Sequence, residues 1–199
     1  MDRKKLKAAA RAQLKEQFGK LLLLTLIAVG IPSIAVILLS KIPLANLFIT
    51  FVITPAFSLS LTRIYIYVAD GGQPELADAF AGFDDFWSAF KVEFLTRLFV
   101  YLWSLLLWIP GIVKSVSYSL APYILAENPG KPALECITES KEMTDGYKMD
   151  LFMLSLSFIG WWLLCIVTLG IAFIWVIPYV HATCANAYRW FNSPLDETA

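Results

Sequence analysis

Apolar residues in this chain come in long unbroken runs, separated by short stretches that hold nearly all the charge. The longest run is residues 151–188, LFMLSLSFIGWWLLCIVTLGIAFIWVIPYVHATCANAY, 38 residues without a charged side chain. One helix of that length would extend roughly 57 Å at about 1.5 Å per residue, far beyond a hydrocarbon core of about 30 Å. The run therefore predicts two crossings, with a turn at Thr168, Leu169 and Gly170. Helices are favoured because lipid offers no partner to a free N–H or C=O.

The rest of the pattern repeats this theme. In residues 2–18, Leu6, Ala10, Leu14 and Phe18 recur every fourth position among Lys4, Lys7, Arg11 and Lys15, which predicts a basic amphipathic helix. Residues 21–40 are uncharged and match one crossing. They outrun a secretory core of about 7–15 residues, and Lys41-Ile42-Pro43 follows them, so the span reads as retained. Residues 44–67 give a second crossing, with Pro55 expected to kink it.

Residues 73–90 predict an amphipathic helix with Leu76, Ala79, Phe80, Phe83, Trp87 and Phe90 on one face, lying in the interface or packed on the bundle. Residues 91–109 and 112–126 give the third and fourth crossings, with Pro110-Gly111 as the turn. A single kinked helix over 98–126 is the alternative. It would move Lys131, Lys141 and Lys148 to the side opposite the N-terminal basic cluster, against the positive-inside rule. Residues 132–147 form a further amphipathic helix, with Ala133, Cys136, Ile137, Ser140, Met143 and Tyr147 turned toward the bundle. The tail after Phe191 is short, and Pro194 discourages structure there. The expected fold class is all-α: a polytopic transmembrane helix bundle, one integral membrane domain over 1–199, with six spans as three hairpins and interfacial amphipathic helices.

Composition supports this class. Hydrophobic residues make up 58% of the 199 and charged residues only 16%, against about 25% charged in soluble domains. Net charge is zero, yet seven of the sixteen Lys and Arg fall in the first twenty residues. Before a hydrophobic span, such a cluster sets orientation rather than binding nucleic acid, so both termini are expected on the cytoplasmic side. The expected partners are the lipid bilayer and other membrane proteins or a second copy, with no nucleic acid. Cys136, Cys165 and Cys184 read as free thiols.

The hairpins also look like an internal repeat over about 2–68, 73–127 and 132–190. Junction lysines Lys20, Lys91 and Lys148 precede prolines Pro55, Pro122 and Pro178 by 35, 31 and 30 residues. Two inner loops share Gly-x-Pro-x-Leu, at Gly72 to Leu76 and Gly130 to Leu134. Parallel repeats build some transporters, but hairpins also build inert bundles.

At Ile109-Pro110-Gly111-Ile112-Val113-Lys114, at residues 140–161 (SKEMTDGYKMDLFMLSLSFIGW), and at TLGIAFIWVIPY and Ala185-Asn186-Ala187-Tyr188, the chain resembles the bacterial membrane family called domain of unknown function 975. It is more distantly similar to the membrane-anchor region of glycerophosphodiester phosphodiesterases. The resemblance implies a multi-span protein of the bacterial cytoplasmic membrane, mostly in Gram-positive lineages. It implies no activity and no catalytic residues.

Chemistry-bearing residues are few. Arg63 and Lys114 sit near span ends, where long cations snorkel to the interface. His181, the one histidine, forms an i, i+3 pair with Cys184, but a metal site needs three or four ligands. It is expected near a span end, against a carbonyl or interface water. Ser58 with Thr62 and Ser115 with Ser119 read as helix-to-helix glue. No phosphate loop or Ser-His-Asp arrangement is found. The candidate functional or interface positions are Lys20, Arg63, Lys91, Lys114, Lys148 and His181, with no cofactor and no enzyme activity expected. The leading function is a non-enzymatic membrane accessory or interaction protein. The alternative is a carrier or channel for a small or lipid-like solute.

Overall fold

The computed structural model describes residues 2–106 and 108–192, all helix and connection, with no strand among the described residues. The expected tail after Phe191 falls largely outside them. Helix α1 (Arg3–Leu38) starts at Asp2, whose carboxylate accepts the N–H groups of Lys4 and Lys5. At Gln17 the backbone leaves helical geometry (φ −125°, ψ 25°), so the basic helix and the first span are two arms of one kinked rod. Leu6, Ala10 and Leu14 bury into the same core as Ala182 and Ala185, as their spacing predicts.

Helix α2 (Pro43–Phe48) leads through a π-helical turn (Ile49–Ile53) into α3 (Thr54–Ala69). The kink expected at Pro55 takes this form. Proline brings no N–H and would crowd the carbonyl one turn back, and the wider turn makes room. Both the N–H and the hydroxyl of Thr54 reach the Ile49 carbonyl.

The helix expected over 73–90 is corrected. Residues Leu76–Phe83 form a 3₁₀ segment, and Phe86 onward belongs to α4 (Phe86–Leu106). Close approach to α3 is the cause. The Gly82 N–H donates to Ser60 Oγ at 2.8 Å, and a Cβ on Gly82 would lie 2.0 Å from the Ala56 carbonyl oxygen. Phe80 and Phe83 close edge-on against Phe57.

Helix α5 (Trp108–Ser117) folds back on α4. Lys114 Nζ lies 4.7 Å from the Trp103 ring centre, Tyr118 meets Phe99, and Gly111 abuts Ser104. A single kinked helix over 98–126 is therefore excluded. Pro110 and Gly111 are not the turn but lie inside α5. Pro110 is its third residue, where a missing N–H leaves no bond unmade.

The helix expected over 112–126 is not continuous either. Helix α5 stops at Ser117, and α6 (Ala121–Glu127) restarts after a three-residue break. Helix α7 (Ala133–Met143) closes it. Ser140 Oγ accepts the Leu120 N–H at 3.1 Å and donates to the Ser117 carbonyl at 2.8 Å. Thr144 Oγ1 donates to the Ser140 carbonyl at 2.9 Å. The expected face of α7 is buried at Ala133, Cys136, Ile137 and Ser140. Its serine, out of place on an apolar stripe, is the staple.

Helix α8 (Lys148–Leu156) and α9 (Ile159–Val167) are separated by a similar break, where Lys7 Nζ donates to Ser157 Oγ at 2.5 Å. The turn then comes where it was expected. Leu169 (φ 50°) and Gly170 (φ 94°) take left-handed geometry before α10 (Phe173–Asn192). Three helical stretches are long and apolar enough to cross a membrane: Arg3–Leu38, Pro43–Ala69 and Lys148–Val167. Large apolar side chains stand exposed at Ile37, Leu44, Ile109, Val167 and Leu169, the last 95% exposed. Surface of that kind is unfit for water and suited to lipid.

Two outcomes follow for α7. Ser140→Ala should lower stability in detergent by about 1–3 kcal/mol, because it leaves the buried Leu120 N–H unmet and the Ser117 carbonyl with only the longer bond from Thr144; Thr138→Ala, on the exposed face, is the control. Equal melting of both variants would refute the staple. Burial also pushes the Cys136 thiol up to about 11 from an ordinary 9.0. At pH 8 it should therefore react with a water-soluble maleimide about a hundredfold slower than a free thiol, and faster as pH rises, since the thiolate is the nucleophile. Ile137→Asp should speed it. Fast labelling in the parent chain, with Cys165 and Cys184 replaced by Ala, would show that α7 is not docked.

Candidate functional site

The charged residues at the ends of three helices meet in one cluster. Arg189, near the end of α10, pairs through Nη2 with Asp70, the residue that ends α3, and through Nη1 with Glu127, the last residue of α6. The second oxygen of Glu127 accepts from the Tyr188 hydroxyl at 2.5 Å and from Asn192 Nδ2 at 3.0 Å. The Tyr188 ring packs against Tyr123 of α6. Two amides tie α1 to the same end. Gln13 and Asn186 exchange hydrogen bonds, and Gln17 Nε2, at the kink, donates to the Gly72 carbonyl at 3.2 Å.

A second polar feature lies along the bundle. His181 is not near a span end; it stands in the middle of α10, stacked on Tyr65 at 5.6 Å. The Tyr65 hydroxyl shares a 2.8 Å hydrogen bond with Thr25. His181 faces a cavity of about 540 Å³ between α1, the π turn and α3, whose wall includes Ser33, Thr50, Thr54 and Ser58. Ser33 and Thr54 donate to carbonyls one turn back, and Thr50 to Asn46. That leaves Ser58 and His181 as the wall's side chains with uncommitted hydrogen-bonding atoms among the described residues.

The six candidate positions do not assemble. Arg63 does not snorkel to open water. It is half-buried, with Nη2 2.5 Å from Asp85 and Nη1 2.6 Å from the Ala81 carbonyl, and so pins the 3₁₀ segment to α3. Lys114 covers aromatic rings rather than reaching away from them. Lys148 pairs with Asp145 at 2.7 Å, and that hydrogen bond holds the Asp145 carboxyl below the usual carboxylate range. Lys20 and Lys91 are exposed and make no ion pair among the described residues. No group of three or more metal-binding side chains occurs among the described residues.

The residues that do meet, Asp70, Glu127 and Arg189, were not singled out from sequence. A signal existed. Ala69-Asp70 and Ala126-Glu127 hold matching places in the two loops, and Arg189 stands with opposite sign at the end of the last apolar run.

Arg189→Met should bring two carboxylates together with no cation between them. The expected loss is about 1–3 kcal/mol, below that of a fully buried pair because the partners stay partly exposed. Adding Glu127→Gln should restore part of it. A double variant as unstable as the sum of the two single ones, measured by denaturant unfolding, would mean that the groups are not coupled.

The model of the DUF975 family, a protein family of unknown function, matches residues 1–117 and 105–193, and the chain belongs to it. No curated protein and no solved structure matches the chain. None of these comparisons shows the expected likeness to glycerophosphodiester phosphodiesterases.

Proposed function

We propose that this chain is a non-enzymatic, multi-pass protein of the bacterial cytoplasmic membrane, acting by contact with other membrane proteins or a second copy of itself. The observation that carries the reading is how its interior charge is used. Arg63 is paired with Asp85, and Arg189 with Asp70 and Glu127. These groups hold helices together and are not arrayed along a path. Carriers coupled to protons or ions usually keep an ionisable group inside the bundle.

One domain holds three hairpin units, about 2–68, 73–127 and 132–190, crossing six times with both ends cytoplasmic. Counted across their breaks, 108–127 and 148–167 are each 20 residues, and α4 and α10 have 21 and 20. Each reaches about 30 Å as helix, the thickness of the hydrocarbon core.

One contact favours a different course for the second hairpin. Ile109 and Ile112, at the head of α5, share a cavity of about 240 Å³ with Lys148 and Met149, at the head of α8. Six upright crossings put those two ends on opposite sides. On that observation, the second hairpin dips in and returns to the same side. Reporter fusions decide between the two. Those after Lys41 and Gly170 should read external, and those after Gly72, Gly130 and Phe191 cytoplasmic. An external signal at Gly111 supports six crossings, and a cytoplasmic one the dipping hairpin.

A carrier is the second functional reading, favoured by the cavity at His181. Reconstituted vesicles should release trapped small solutes no faster than empty ones. Release that His181→Ala abolishes would replace the accessory role with transport.

A further inference from the structure

We infer that the groove between the basic arm of α1 and the α9–α10 hairpin is a binding site for an anionic phospholipid, whose acyl chain lies in the groove and whose phosphate rests on Arg11 and Lys15. The groove measures about 470 Å³, and its walls include Phe18 on one side and Trp161, Trp175 and Val176 on the other. That is within the range of about 300–1,000 Å³ typical of ligand pockets. Phe18 stacks on Trp175 at 4.5 Å, and the Arg11 guanidinium lies 5.5 Å from the Tyr179 ring centre. Flat aromatic walls suit a hydrocarbon chain, and two cations line the same groove.

Charge selects the headgroup. Six ion pairs form among the described residues, and none involves residues 3–20. Lys7, one turn before Arg11, is already held by the Ser157 hydroxyl and the Phe158 ring. Arg11 and Lys15 are exposed and have no carboxylate partner among the described residues. A zwitterionic headgroup brings its own cation to these two charges; an anionic one does not. An apolar helix of a second protein would fill the groove but leave both cations unmatched. A polybasic segment beside a span is a known means of recruiting anionic lipid. The inference rests on the reading of the chain as a membrane protein.

The test uses the whole chain in bilayers of equal phosphatidylglycerol and phosphatidylcholine, released for native mass spectrometry. Phosphatidylglycerol should be retained roughly tenfold over phosphatidylcholine. Arg11→Gln with Lys15→Gln should abolish the preference, while Lys4→Gln with Lys5→Gln and the charge-keeping Arg11→Lys preserve it. Tryptophan quenching by phosphatidylglycerol with brominated chains should also fall in Trp175→Phe, which locates the chain in the groove. Equal retention of both lipids would overturn the proposal, as would a preference that survives the double Gln variant. So would displacement of phosphatidylglycerol by excess inorganic phosphate, which would make this a free-phosphate site. A lipid-free dimer surviving release would assign the groove to a second copy. Failure of the chain to enter bilayers at all would instead refute the membrane reading.

Discussion

The fold depends on how one guanidinium is shared. Between helices in lipid there is little hydrophobic drive, since a leucine is as comfortable against an acyl chain as against a neighbour. Apolar side chains along α3, α6 and α10 therefore permit contact without fixing how far one helix slides past another. Arg189 removes that freedom by holding Asp70 and Glu127 at once. The contacts farther along these helices, Tyr188 on Tyr123 and His181 on Tyr65, are in register with it. A slip of one helical turn, about 5.4 Å, would break the ion pairs and both ring contacts together.

The other polar side chains of the interior repair backbone. The π turn, the gap between α5 and α6 and the gap between α8 and α9 each leave main-chain groups without their regular partner. Ser140 and Lys7 meet those at the two gaps, and at the π turn the N–H and hydroxyl of Thr54 both serve the Ile49 carbonyl. Ser140 and Lys7 come from a different part of the chain than the gap they close. An irregular backbone inside a bundle is tolerated only where protein groups re-satisfy it, so these contacts decide where the helices can break.

Much of this was legible in the sequence, because apolar run length and turn residues are local signals. The apolar stripe of Leu6, Ala10 and Leu14, the turn at Leu169-Gly170 and the buried stripe of α7 follow from spacing alone; the joining of the basic helix and the first apolar run into one rod kinked at Gln17 does not. What was not legible depends on partners distant in sequence. Pro110-Gly111 looks like a turn until α5 is seen to begin at Trp108. Residues 76–83 carry a helical pattern, but the close approach of Gly82 to Ala56 and Ser60 tightens them into a 3₁₀ run. The break after Ser117 is signalled only by Pro122, at the start of α6, whose missing N–H and ring would disturb a continuous helix at Tyr118; Tyr118, Ser119 and Leu120 themselves would sit in an ordinary helix. Arg63 looked like a side chain seeking water because Asp85 lies 22 positions away. Arg189 lay outside the candidate positions for the same reason: its partners are 119 and 62 residues distant.

The staple at Ser140 also bears on the order of synthesis. The Leu120 N–H and Ser117 carbonyl leave the ribosome some twenty residues before the hydroxyl that will bond them. During that interval the joint between α5 and α6 holds open backbone groups. It has to wait near water, or inside the insertion machinery, until α7 emerges. The amphipathic α7 is in this sense an internal chaperone for the helix pair made just before it.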